Sequence, residues 1–192
     1  VFANTSADTA ERTLYVSSTG SDANNGSMNR PLQTWARAKT LLFASNGPRR
    51  VLLRRGDSFT HSTGGTVSGR TGPFQVGAFG TGANPIIRSS GGTTELLVLD
   101  ATATDVRLMD VDMFGTLVEN CIRPGTETLI FRCRLSGFSN GISTSSAHGL
   151  KQGVVIAENS IDGSDGYGIY FNFGQRVAFL GNLIQDVNRE HL

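Results

Sequence analysis

The chain has 192 residues, a formal net charge of +1 and 24 glycines, with hydrophobic residues making up 38% of it. That length suits one elongated domain, and so much glycine suits a turn-rich β fold better than a helical one. The near-zero charge gives no reason to expect nucleic acid or an acidic membrane as partner, and no run of residues approaches the roughly 18 apolar positions of a membrane span.

The first thirteen residues, VFANTSADTAERT, are polar and read as a flexible tail without a visible signal peptide. Residues 14–50 read as the opening of the fold: a strand from Leu14, a loop rich in Gly, Asn and Ser, and a helix entered near Thr34. Trp35, Ala38, Leu41 and Leu42 share one face of that helix at helical spacing. Asp22, Asn24 and Asn25 precede Gly26 in the loop but miss the EF-hand frame, so a turn without metal is the expectation. In Arg49, Arg50, Val51, Leu52, Leu53, Arg54 and Arg55, alternation points Val51 and Leu53 inward and leaves most of the arginines in solvent.

Residues 51–192 carry a tandem pattern. Val154, Ile156, Asn159, Ile161 and Ile169 recur without a gap as Val177, Phe179, Asn182, Ile184 and Leu192. Earlier units place Thr128, Ile130, Cys133 and Leu135, and before them Val106, Leu108, Val111 and Met113, at the same points. A period of about two dozen residues denotes a solenoid. Within each unit, apolar residues alternate over short runs separated by Gly, Asn, Asp and Ser, which is strand spacing with turn punctuation. Leucine-rich and helical repeats need frames that are missing here. The expected fold is therefore all-β: a right-handed, single-stranded parallel β-helix with an N-terminal capping helix and an open C-terminal end. Inward side chains would stack on their equivalents about 4.8 Å away in neighbouring coils. Asn159 and Asn182, at a sharp turn, would tolerate left-handed dihedrals and bond to one another. Because Leu192 falls inside a coil, the coils are expected to continue beyond it, or else to be covered by another subunit in a homo-oligomer. Cys121 and Cys133 leave the redox compartment undecided, with two buried or half-buried thiols preferred over a disulfide.

The run YVSSTGSDANNGSMNRPLQTWARA, together with VLLRRGDSF and VGAFGTGANPII, resembles the N-terminal part of secreted β-helix proteins of the pectate-lyase-like superfamily, in particular family nine pectate lyases and their uncharacterised relatives. The resemblance implies an extracellular, carbohydrate-active protein with a polysaccharide partner, most simply a uronate-polysaccharide lyase. In such lyases a Lys or Arg abstracts the proton beside a carboxylate that Ca²⁺, held by several Asp, neutralises. This chain departs from that pattern: its lysines are Lys39 and Lys151, with Lys39 in the capping helix, and no Asp cluster recurs across coils. No catalytic residue is carried over; Lys151, His148 and His191 are the candidate bases.

With Ile142 and Ile169 inward, Ser143, Tyr170 and Asn172 face outward, joined by Arg176 and Glu119 as candidate sugar contacts, and Arg123 lies in a turn beyond the same strand. The DGSDGYG turn, with Asp162 and Asp165, could take Ca²⁺ but is explained equally well as a tight loop. A glycoside hydrolase would need two carboxylates roughly 5 to 10 Å apart, and no obvious pair offers itself; a serine hydrolase lacks its local context. The alternative from another class is a non-catalytic adhesin, fibre or surface scaffold that binds glycans or self-assembles through its open coil.

Overall fold

The computed structural model describes residues 13–45, 47, 49–61, 65–91, 95–117 and 120–188. Glu119, His191 and Leu192 lie outside them, as does all but the last residue of the polar N-terminal segment. The chain winds as a right-handed parallel β-helix of about five turns.

Three faces run along it. The first has seven parallel strands: Thr13–Val16, Arg50–Arg54, Thr71–Phe79, Thr104–Met109, Thr126–Phe131, Val155–Ala157 and Ala178–Leu180. The second has six: Ser58–His61, Ile86–Ser89, Asp112–Phe114, Arg134–Ser136, Ser160–Ser164 and Leu183–Val187. The third has five: Thr66–Val67, Glu95–Leu99, Asn120–Arg123, Asn140–Ser143 and Ile169–Tyr170.

The register explains the repeat. On the first face Leu14, Val51, Val76, Leu108, Ile130, Ile156 and Phe179 are successive ladder partners. On the second, Phe59, Ile87, Met113, Leu135, Ile161 and Ile184 form a parallel column. On the third, Leu97 is followed by Ile122, Ile142 and Ile169. Most of these side chains are buried, each stabilising the fold by about 1.5–3 kcal/mol relative to exposure. At the last described coil the columns emerge, with Phe179 and Ile184 49% and 43% exposed.

In the last four described coils the turn from the first to the second face falls on a left-handed residue: Asp110, Arg132, Glu158 and Gly181, with φ of 56°, 51°, 54° and 60°. The left-handed dihedral thus falls one residue before Asn159 and Asn182, not on them as the sequence suggested. The asparagines act through their amides. Asn159 Oδ1 accepts from Cys133 N at 2.9 Å, and its Nδ2 donates to Ile130 O and to Asn182 Oδ1, both at 3.0 Å. Asn182 Nδ2 continues to Ile156 O at 2.8 Å. Left-handed Arg132 would cost about 1–2 kcal/mol by itself; its fork onto Asp110, at 2.8 and 2.9 Å, offsets that.

The helix Trp35–Leu42 covers the first coil, burying Trp35, Ala38 and Leu42. Thr34 caps it, accepting from Arg37 N. Asp22 holds that entry: one carboxylate oxygen accepts from Gln33 N and Thr34 N, both at 2.9 Å, the other from Thr34 Oγ1 at 2.7 Å. This loop carboxylate serves helix initiation. Asp57 ties the first strand's end to the next coil through Ser17 Oγ and Ser18 N. The arginines are bonded to neighbouring segments: Arg49 to Thr71 O, Arg54 to Ser17, and Arg55 to Asn84. Cys121 and Cys133 are both buried free thiols. Burial pushes the Cys133 thiol up to about 12. Among the described residues no helix is long and apolar enough to cross a membrane.

Candidate functional site

The third face carries the site. Its strands do not alternate strictly. An alanine methyl at Gly141 or Gly168 would meet the interior Ile161, so these glycines face inward, and so does the residue that follows each, Ile142 and Ile169. Two outward columns therefore flank a pair of inward positions. One runs through Glu95, Asn120, Asn140 and Tyr167; the other through Arg123, Ser143 and Tyr170.

A shallow groove follows these columns as two adjoining depressions of about 280 and 380 Å³ that share Asn140 and Tyr170. The first is lined by Asn120, Arg123, Ser143, Thr144 and Asn172, among others, and the second by Asp165 and Tyr167. The Tyr167 and Tyr170 rings stack with centroids 4.9 Å apart and planes 19° from parallel. Polar bonds preorganise the groove: Asn140 Nδ2 donates to Asn120 Oδ1 at 2.6 Å, Tyr167 N to Asn140 Oδ1 at 3.0 Å, and Asn172 Nδ2 to Tyr170 Oη at 3.1 Å. Thr144 Oγ1 sets the loop, accepting from Asn172 N and Phe173 N and donating to Asn172 Oδ1. A larger depression of about 490 Å³ is lined by Ile169, Phe171, Phe179 and Ile184, which continue the interior columns, and we do not read it as a ligand site.

Arg123 pairs with Glu95 Oε1 at 2.8 Å, and its other terminal nitrogen faces His148 Nδ1 at 3.3 Å. Burial, with the charges of Arg123 and Lys151, holds His148 below the usual imidazole range. Lys151 has no solvent exposure. Its Nζ donates to the carbonyls of His148 and of Leu99, and burial brings its pKa down to about 8.

Of the residues expected at the site, Tyr170 and Asn172 lie together on the groove. Ser143 lines it but is buried, 5% exposed, because it is a small side chain between Arg123 and Tyr170 in the ladder. Lys151 points inward to backbone carbonyls instead of standing in a solvated turn, and His148 sits behind Arg123. Arg176 bonds Gln152 Oε1 at 2.8 Å, away from the groove lining. Asp162 is taken by Arg134 at 3.1 Å and Asp165 by Asn188 at 2.8 Å, so the two carboxylates of the DGSDGYG turn go to separate partners. Asn120, Asn140, Thr144 and Tyr167 were missed, although one unit's spacing from Tyr167 leads back to Asn140 and Asn120.

The architecture defines a parallel β-helix protein with a polar, tyrosine-bearing groove on one face. The chain matches no protein-family model, and no curated protein matches it. It is similar in fold to the native GH136 lacto-N-biosidase from Eubacterium ramulus, at 16% identity and a TM-score of 0.57, over 91% of this chain and 40% of that one. The selenomethionine derivative of that enzyme gives 13% identity and a TM-score of 0.58 over 93% and 52%. A rhamnogalacturonan lyase gives 14% identity and a TM-score of 0.49 over 90% and 57%. The chain thus spans about half or less of the length of the lacto-N-biosidase chains.

Proposed function

We propose that this is a carbohydrate-active β-helix protein that holds a polysaccharide segment in the third-face groove, in an extracellular setting. The observation that carries the reading is the stacked Tyr167–Tyr170 pair beside the amides of Asn120, Asn140 and Asn172. An aromatic face packs against the C–H face of a sugar ring, while amides and hydroxyls satisfy its ring hydroxyls. The lacto-N-biosidase named above shares the fold and acts on a glycan, which agrees with this use of the scaffold. A uronate lyase draws no support from the groove, because Lys151 is buried against carbonyls and Arg123 is committed to Glu95. Affinity electrophoresis through gels containing a panel of polysaccharides tests the reading. The wild type is expected to be retarded by at least one polymer, and Tyr170→Ala to lose most of that retardation. Equal retardation of both proteins would remove the groove as the binding surface.

A further inference from the structure

We infer that the groove selects uncharged glycan segments and discriminates against uronates. This rests on the groove being a glycan site, as proposed above, and adds the chemical class of sugar. A uronate carboxylate needs a cation, or a cluster of N–H donors, that is not already satisfied.

The cations near this groove are committed. Arg123 contributes the one guanidinium in the lining. Its charge is met at 2.8 Å by Glu95, which also accepts from Asn120 Nδ2 at 3.4 Å, and its Nε, which has no hydrogen-bond partner, is buried where a ligand carboxylate in the groove does not reach it. A guanidinium only donates, so its second contact obliges His148 Nδ1 to accept. That fixes the imidazole as neutral, with its proton on Nε2. Lys151 turns its ammonium into the protein, and Arg176 is held by Gln152 outside the lining. At the other end stands the exposed carboxylate of Asp165, with Asn188 as its neutral partner.

The lining thus carries Arg123, neutralised by Glu95 beside it, and the separate carboxylate of Asp165, surrounded by neutral donors and acceptors: Asn120, Asn140, Ser143, Thr144, Tyr170 and Asn172. Such a surface matches hydroxyls and repels carboxylates. A chain of uronates would have to displace Glu95 from Arg123 while passing Asp165, both at an electrostatic cost that grows as the groove loses water.

The test is calorimetric titration with matched oligosaccharides that differ only in oxidation at C6: gluco-, galacto- and manno-oligosaccharides against their uronate counterparts, at low and at high salt. At least one neutral series is expected to bind tenfold or more tightly than its uronate partner, with the gap narrowing in salt. Asp165→Lys is expected to shrink that gap at least threefold. Uronates binding as tightly as neutral sugars, with both signals lost in Tyr170→Ala, would overturn the selectivity and leave the glycan site standing. No binding in either class would overturn the groove reading together with this inference.

Discussion

Lys151→Met isolates one buried charge. The lysine side chain has no exposure and is desolvated to a pKa of about 8 against 10.5 in water, Asp100 opposing that fall and Arg123 adding to it. At 1.36 kcal/mol per pKa unit, the folded state disfavours the ammonium by on the order of 3 kcal/mol. The folded protein releases this proton before the unfolded chain does. Stability from this group is therefore absent below about 8, rises with pH through the interval to 10.5, and is complete above it. Cys133 works in the opposite sense, since its raised pKa makes stability fall as pH climbs from 9.0 toward about 12. Both proteins retain Cys133, so the difference between them is informative where either curve alone is not. Methionine keeps the aliphatic volume. Urea unfolding of wild type and variant, followed by circular dichroism across this range, should show wild type gaining about 3 kcal/mol relative to the variant as pH rises. A constant difference between the two would refute the assignment of a buried, pKa-shifted ammonium.

Three further substitutions probe the scaffold. Asp22→Ala removes three bonds at the start of the capping helix and should cost about 1–2 kcal/mol in urea melts. Burial raises the pKa of Asp22, but the bonds from Thr34 and Gln33 and the charge of Arg37 outweigh it and lower the pKa below 3.8. The wild-type contribution is thus present above 3.8 and disappears as pH falls through the depressed value, whereas the alanine variant shows no such loss. Asn159→Ala strands the Cys133 N–H and the Ile130 carbonyl in a site where Asn159 is 2% exposed, and thermal unfolding should register about 2–4 kcal/mol. Gly141→Ala would set a methyl 2.5 Å from Gly168 O and 2.7 Å from Ile161 Cγ2. Its expected cost is about 1–3 kcal/mol, with weaker glycan retardation because the groove residue Asn140 adjoins the displaced residue and Ser143 lies two beyond it.

The solenoid was legible because identical chemistry recurs wherever ladder partners stack: Ile156 over Phe179 and Ile161 over Ile184 are visible in the bare sequence as a repeat and in space as columns. The cap was legible from helical spacing and a threonine at its start. The groove was legible only in part. Strict alternation found Tyr170, but the adjacent inward pairs Gly141–Ile142 and Gly168–Ile169 break alternation and hid the Asn140 and Tyr167 column. Lys151 was misplaced for a similar reason. The sequence reads as a solvated turn where Lys151 in fact opens the short strand Lys151–Gln152, and nothing local signals that the carbonyls of Leu99 and His148 converge on its ammonium. The left-handed position was assigned to asparagine by propensity, whereas the coil geometry imposes it on whichever residue precedes, Arg132 and Glu158 included.

Hydrogen exchange read by mass spectrometry, with and without the tightest-binding oligosaccharide from the neutral panel, locates the bound glycan on the β-helix. New protection is expected only on the third face, in the peptides covering Asn140–Thr144 and Tyr167–Asn172, and should be lost in Tyr170→Ala. Protection on the first or second face, with the third unchanged, would contradict the placement of the glycan in the groove.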